Sequence, residues 1–169
     1  EDAFSYADQM GQRKGAGAAY YHIFGWDVVE FLDTKKINAD EKSRLKTLAI
    51  GLIVPDKFYQ LARDNQPLYV FAPYSVYQAY GTHLDDMDMD EMYERLLADD
   101  RVKKKAVMAA RDMLVKIATI QLESGYPYIV NISNANRAHA LKAIGTIKMS
   151  NLCTEIFQLQ EVSEIGDYG

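Results

Sequence analysis

The chain has 169 residues, of which 49% are hydrophobic and 25% charged, a balance typical of one soluble globular domain. Its net charge of -5 argues against a general nucleic-acid binder, and its single cysteine excludes an internal disulfide and a cysteine-rich zinc site. The longest apolar run, residues 48–54, is too short to span a bilayer and no leader is evident, so we expect no membrane association.

The N-terminal third predicts two helices that flank a glycine-containing loop and a strand. The loop contains glycines that allow close backbone approach, together with the cations Arg13 and Lys14. Asp27 followed by Glu30 is typical of a helix start. The predicted elements are a helix over residues 3–10, a loop over 11–17, a strand over 18–24, a helix from residue 27, and a polar loop with a short helix over 34–44.

The middle of the chain alternates predicted strands and helices. The uninterrupted apolar run 48–54 has strand length and predicts a strand buried on both faces. Pro55 and Asp56 predict the start of the next helix. A helix with Phe58, Leu61 and Ala62 on its apolar face, a strand over residues 68–71, and a helix from Pro73 through Tyr80 follow.

Residues 85–91 form an acidic run that could suggest a calcium loop. The pattern fails, because Glu91 stands where the loop needs glycine and Leu97 where it needs a bidentate glutamate. Asp88 followed by Glu91 instead predicts a capping box at the start of a helix. We therefore predict no metal site in this chain.

The C-terminal half continues the alternation, which indicates an α/β fold with a parallel sheet. No internal repeats or low-complexity linkers interrupt it. The remaining predicted elements are a solvated basic face over residues 101–105, a helix over 111–123 stopped by Gly125, a strand over 126–130, a polar helix or loop over 131–141, and a strand over 156–159.

Residues 148–156 contain the only cysteine. In an extended backbone, Asn151, Cys153 and Glu155 would point to one face, while Leu152 and Thr154 would point to the other. An amide, a thiol and a carboxylate side by side suit radical chemistry on a vicinal diol such as a ribose: the amide holds a hydroxyl, the carboxylate takes its proton and the thiol exchanges a hydrogen atom. The alternative is that Cys153 is a small buried hydrophobic residue.

The sequence Ser-Asn-Leu-Cys-Thr-Glu-Ile at residues 150–156 resembles the active-site finger of the ribonucleotide reductase large subunit. Residues 6–17 resemble the loop between effector and substrate in that family. Residues 31–42 and 123–129 resemble its class Ib branch. The resemblance covers essentially the whole chain in one register, and it implies that residues 1–169 are a single partial domain from the interior of the catalytic barrel.

The resemblance implies part of a ten-stranded α/β barrel with the active-site cysteine on a central finger loop. Cys153 matches the thiyl-radical cysteine that removes the 3'-hydrogen, Glu155 the base for the 3'-hydroxyl, and Asn151 the partner of the ribose hydroxyls. Leu152 and Thr154 would add backbone contacts to the substrate. The matching effector-linked loop consists of Gly11, Gln12, Arg13, Lys14, Gly15, Ala16 and Gly17.

The resemblance also implies the reaction and the partners. The family reduces ribonucleoside diphosphates to 2'-deoxyribonucleoside diphosphates in the cytoplasm for DNA synthesis. It works as a homodimer of large subunits with a thiol reductant protein and nucleotide effectors such as dATP or dTTP. The radical comes from a small subunit with a di-metal (iron or manganese) tyrosyl-radical centre, so no cofactor is expected in this chain.

Two other functions remain open. A cysteine hydrolase would pair Cys153 with His22, His83 or His139, although no nucleophile elbow is visible. A non-catalytic nucleotide-binding or assembly module could be made from the same piece. We also expect the isolated chain to be inactive, because the family draws two electrons from a cysteine pair, whereas Cys153 is the only cysteine here.

Overall fold

The computed structural model describes residues 2–7, 11–12, 15–38 and 44–160. These residues form a mixed α/β fold with two small sheets. In chain order the elements are α1 (Asp2–Tyr6), β1 (Ala18–His22), α2 (Val28–Asp33), β2 (Ala49–Val54), α3 (Asp56–Arg63), β3 (Pro67–Phe71), α4 (Pro73–Tyr80), a 3₁₀ turn (Leu84–Asp86), α5 (Met89–Ala98), β4 (Lys104–Ala109), α6 (Ala110–Ser124), β5 (Tyr128–Asn131) and α7 (Ile132–Ala138).

The larger sheet is parallel and has the strand order β1-β2-β5. Every residue of the central strand β2 is buried, which explains why its sequence is apolar without alternation. The predicted parallel sheet and the predicted buried strand over residues 48–54 are both confirmed.

The two faces of this sheet have different neighbours. Leu52 and Val54 point into the main hydrophobic core, where they pack with Phe58 of α3 and Met113 of α6. Their strand neighbours Gly51 and Ile53 point the other way, because side chains alternate along a strand. The pairing register places the following residues on that second face: Tyr20, His22, Gly51, Ile53, Tyr128 and Val130.

The smaller sheet pairs β3 and β4 antiparallel. The predicted solvated basic face over residues 101–105 is confirmed for Arg101 and Lys103, which are exposed, whereas Lys104 and Lys105 are half-buried and begin β4, which pairs with β3. The aliphatic part of a lysine side chain can pack on an apolar surface while its ammonium group remains solvated. Lys105 shows this directly, with its Nζ 4.5 Å from the centre of the Trp26 ring.

The helix ends follow the predicted signals in most cases. Asp88 caps α5 by accepting a hydrogen bond from the Asp90 amide, although Asp27 stands at the start of α2 without such a bond. Gly125 ends α6 in the left-handed conformation, where a side chain would be strained. Among the described residues, no helix has the length and apolar character to cross a membrane.

Two boundary predictions differ from the structure. The predicted first helix extends to residue 10, whereas α1 ends at Tyr6, and residues 8–10 lie outside the described part. The predicted strand over residues 156–159 is absent: these residues have no regular secondary structure. A strand needs a neighbour to pair with, and none adjoins this segment within the described residues.

Candidate functional site

We call residues 148–156 the finger. The residues just before and at its start are fixed by hydrogen bonds and an ion pair to other parts of the fold. The Asn136 side chain accepts a hydrogen bond from the Ile147 amide at 2.7 Å and donates to the Ile147 carbonyl at 3.1 Å. Lys148 then forms an ion pair with Asp86 at 2.6 Å. Because Asn136 belongs to α7, directly after β5, the sheet and its following helix set where the finger begins.

The finger folds into a compact turn rather than an extended strand. The Thr154 amide donates to the Asn151 carbonyl at 3.2 Å, and the Ser150 hydroxyl closes the two arms by donating to the Ile156 carbonyl at 2.6 Å. The predicted extended backbone, with three alternating side chains on one face, was therefore wrong. The polar side chains of this sequence supply hydrogen bonds that favour a turn.

Asn151 gives the turn its internal support. Its Oδ1 accepts hydrogen bonds from the amides of Glu155 and Ile156, both at 3.0 Å. The Asn151 side-chain oxygen is therefore fully used and cannot accept a further hydrogen bond from a ligand. Its NH₂ group makes no hydrogen bond within the described part of the chain. Asn151 can therefore donate to a ligand hydroxyl, and it cannot both donate and accept as the sequence suggested.

Cys153 and Glu155 are both exposed at the tip of this turn. The alternative that Cys153 is a buried hydrophobic residue was wrong. Neither side-chain head group has a hydrogen-bond or ion-pair partner among the described residues. The roles assigned to Asn151, Leu152, Cys153, Thr154 and Glu155 remain predictions, but the geometry leaves an amide NH₂, a thiol and a carboxylate available on one short turn.

Tyrosines that the sequence reasoning missed lie beside the finger. The Tyr20 hydroxyl donates to the Asn151 carbonyl at 2.5 Å and lies 2.6 Å from Thr154 Oγ1. Tyr128 is in register with Tyr20 across Gly51. The pKa of Tyr128 is raised first by burial, and then by its neighbours, which include Cys153 and Tyr20. Isolated Gly51 in an apolar strand was the available signal, since such a glycine marks a close approach.

The described part of the glycine loop packs against α1 and joins β2. A side chain at Gly17 would collide with the Phe4 ring, since an added Cβ would lie 2.2 Å from its Cζ atom. The Gly17 carbonyl accepts a hydrogen bond from Ala49 at 3.1 Å. Gly11, Gln12, Gly15, Ala16 and Gly17 are described, whereas Arg13 and Lys14 lie outside the described residues. The effector role of this loop remains a prediction.

The three histidines do not support a cysteine hydrolase. His22 is 5% exposed, its Nδ1 accepts a hydrogen bond from the Phe24 amide, and burial lowers its pKa to about 4. The His83 ring stacks on Tyr77 with the ring centres 4.6 Å apart. His139 ends α7, and its Nε2 is buried without a partner. Within the described chain, none of them is hydrogen-bonded to Cys153.

The acidic run borders a cavity of about 350 Å³ that also includes His22 and Arg137. Asp86, Asp88 and Asp90 have partners inside the protein. Asp90, for example, accepts from the Lys57 amide at 2.7 Å and from the Ser133 hydroxyl at 2.6 Å. No group of three or more potential metal ligands occurs among the residues that the structure describes.

Comparison with known proteins identifies the family. The model of the family described as "Ribonucleotide reductase, barrel domain" matches residues 1–166. An α/β segment with a cysteine-bearing turn is thus part of a known class of barrel enzymes. The chain belongs to the ribonucleotide reductase family.

The relatives carry the same family name. The chain is 52% identical over 168 residues to the "Ribonucleoside-diphosphate reductase subunit alpha" of Bacillus subtilis, covering 99% of the chain and 24% of that relative. It is 49% identical to the subunit of that name from Mycoplasma genitalium, covering 97% of the chain and 22% of the relative. The Helicobacter pylori subunit is 36% identical over 89% of the chain and 19% of its own length. The chain therefore spans about a quarter of its curated relatives or less.

Proposed function

We propose that this chain is a catalytic segment of a ribonucleoside-diphosphate reductase α subunit, which converts ribonucleoside diphosphates to 2'-deoxyribonucleoside diphosphates. The observation that carries the proposal is the finger turn. Its backbone and the Asn151 oxygen are fixed by internal hydrogen bonds, while the Asn151 NH₂ group, the Cys153 thiol and the Glu155 carboxylate remain available. The names of the relatives support the same reaction.

In the proposed mechanism, the Cys153 thiyl radical takes the hydrogen atom from C3' of the ribose, so that the S–H bond forms and the radical moves to the sugar. Glu155 accepts the proton of the 3'-hydroxyl, and the Asn151 NH₂ group donates a hydrogen bond to a ribose hydroxyl. The 2'-hydroxyl then leaves with a proton as water, and the resulting sugar radical is reduced by two electrons from a cysteine pair outside this chain, which becomes a disulfide. Cys153 finally returns its hydrogen atom to C3', which restores the thiyl radical.

The remaining parts of the proposal concern the whole enzyme. The barrel has ten strands and the finger lies in its interior, which is consistent with Tyr20 contacting the finger from the sheet face opposite α3 and α6. A small subunit with a di-metal tyrosyl-radical centre supplies the radical, and a thiol reductant protein restores the cysteine pair. Two large subunits form a cytoplasmic homodimer that binds effectors such as dATP or dTTP.

We assign the enzyme to class Ib. The basis is the sequence of residues 31–42 and 123–129, which resemble that branch. The first segment includes the end of α2, and the second joins the end of α6 to β5 and contains Tyr128. The class assignment rests on this sequence resemblance.

Replacement of Cys153 by serine tests the proposed reaction in the complete subunit, with the small subunit, an effector and a dithiol present. We expect Cys153→Ser to abolish deoxynucleotide formation, because an O–H bond is too strong to replace S–H in hydrogen-atom transfer. Binding of the ribonucleoside diphosphate should remain, since the substitution changes one atom. Retention of about a tenth of the activity, a barrier change of only about 1.4 kcal/mol, would contradict the radical role.

A further inference from the structure

Tyr20 makes two hydrogen bonds to the finger through one oxygen atom. Its hydroxyl proton goes to the Asn151 carbonyl at 2.5 Å. A phenol has only one proton, so the Thr154 hydroxyl, 2.6 Å away, must donate to the Tyr20 oxygen. The phenol therefore joins the first and last residues of the turn that presents Cys153. With these bonds formed, its proton is not available to a substrate.

Gly51 makes room for the Tyr20 ring. The two residues are paired in register on neighbouring strands. A Cβ atom at position 51 would lie 2.4 Å from Cε1 of Tyr20, far inside the contact distance of two carbon atoms. Gly51 is the one residue without a side chain in the otherwise apolar strand β2, and the ring of Tyr20 occupies the space above it on the way to the finger.

The turn itself is strained where Tyr20 contacts it. Thr154 has a φ of 64°, in the left-handed region that a β-branched residue rarely adopts. Such a conformation is energetically unfavourable for a residue with a branched side chain and persists only where neighbouring contacts hold it. The hydrogen bonds of Thr154 Oγ1 to Tyr20 and of the Thr154 amide to Asn151 are such contacts.

We propose that Tyr20, with Gly51 beneath its ring, is a positioning residue that sets the location of the Cys153 sulfur relative to the ribose C3' atom. This inference rests on the proposed function. Hydrogen-atom transfer requires close approach of the two reacting atoms, and a misplacement of about 1 Å can cost about 10²-fold in rate. Tyr20 acts through the backbone and Thr154, and it does not itself touch the reacting atoms.

The test compares Tyr20→Phe with the parental complete subunit, assembled with the small subunit, an effector and a dithiol. Each protein is given a ribonucleoside diphosphate with hydrogen or deuterium at C3'. We expect kcat to fall by roughly 10- to 100-fold while KM changes by less than about two-fold. The ratio of kcat for hydrogen over deuterium should rise, because transfer from C3' becomes slower relative to the other steps.

Tyr59→Phe is the matched control. The Tyr59 hydroxyl also donates one hydrogen bond, to Asn131 Oδ1 at 2.7 Å, but it lies on α3 and forms no hydrogen bond with the finger within the described residues. We expect this variant to keep the parental kcat and isotope ratio. A second variant tests the same contact from the other side: Thr154→Val removes the hydroxyl that bonds to Tyr20 and keeps the branched side chain, so it should reproduce the effect.

The isotope ratio separates positioning from stability. If Tyr20 only stabilised the fold, Tyr20→Phe would reduce the amount of active enzyme and leave the isotope ratio unchanged, and this result would overturn the proposal. Unchanged kcat in both Tyr20→Phe and Thr154→Val would overturn it as well. The proposed function has its own readout, since it fails if Cys153→Ser keeps its activity, whatever Tyr20→Phe does.

Discussion

The finger turn and the acidic segment at residues 85–90 are the two polar stretches of this chain that invite a functional interpretation, and they use their polar groups in opposite ways. In the acidic segment three of the four carboxylates have partners within the protein, and only Asp85 has none among the described residues. Asp86 pairs with Lys148, Asp88 caps α5, and Asp90 accepts hydrogen bonds from Lys57 and Ser133. These carboxylates hold elements together.

In the finger turn the backbone is occupied and the side-chain ends are available. Asn151 contributes its oxygen to the turn and keeps its NH₂ group, while the side chains of Cys153 and Glu155 make no hydrogen bond with other described residues. A cluster of polar residue types therefore does not by itself identify a functional site. The distinguishing feature is a fixed backbone with unsatisfied head groups.

The largest effect on catalysis is expected for a substitution of Glu155. Glu155→Gln keeps the size of the side chain and removes its ability to take a proton. We expect kcat of the complete subunit to fall by about 10²-fold or more, the usual contribution of a positioned base, with little change in nucleotide binding. Steady-state kinetics together with equilibrium binding of the diphosphate would measure both quantities.

A carboxylate outside the finger provides the control for that substitution. Glu94 is exposed and pairs with Lys57 at 2.6 Å, so Glu94→Gln makes the same chemical change at the surface. It should leave kcat unaltered. Equal losses in the two variants would mean that the finger carboxylate has no special chemical role.

Asp90 should show the opposite behaviour. Asp90→Ala leaves the Lys57 amide and the Ser133 hydroxyl without their acceptor, so we expect a loss of about 2 kcal/mol in the free energy of unfolding. The kcat of the folded enzyme should be retained. Urea unfolding measures the first and active-site-titrated kinetics the second, with the exposed Asp100→Ala as control. If Asp90→Ala kept the parental stability but had a low kcat, Asp90 would act in catalysis and not in holding the fold together.

The smallest expected effect concerns pH and His22, which lies on the same sheet face as Tyr20. Burial lowers the pKa of His22 to about 4 in the folded protein, below its usual 6.5. Between these values the unfolded chain binds a proton that the folded chain excludes, so stability decreases as the pH falls from 6.5 towards 4. The slope contributed by His22 is up to about 1.4 kcal/mol per pH unit.

Unfolding measured between pH 7 and pH 5 in His22→Gln should lack this contribution, because glutamine does not titrate. Identical slopes in the parental protein and in His22→Gln would show that His22 is not held neutral by the fold.

Much of the framework could be predicted because local patterns and burial agree in it. The apolar run that became β2 and the amphipathic run that became α6, ended by Gly125, required no knowledge of distant contacts. The strand β4 could not be predicted in this way. Its lysines suggest a solvated surface, and only the distant partner β3 makes them part of a sheet.

The finger was the least predictable segment in conformation, although its residues were singled out from the sequence. Alternation assumes an extended chain, but the oxygen of Asn151 competes for backbone amides and closes a turn. The contact of Tyr20 with Thr154 spans 134 positions, so no local pattern could indicate it. The only local sign of this contact in the sequence is Gly51, which leaves room for the Tyr20 ring.

β1 has a mechanical consequence for the whole site. The strand starts one residue after Gly17, whose carbonyl is fastened to Ala49, and Tyr20 lies only three residues along, about 10 Å away at the rise of an extended chain. β1 is paired with β2 along its length, so it is a rigid connection. The glycine loop precedes it, and Tyr20 in its middle contacts the finger. We therefore expect a change in the position of the glycine loop along the strand to reach the Tyr20 oxygen, and through it the turn that presents Cys153.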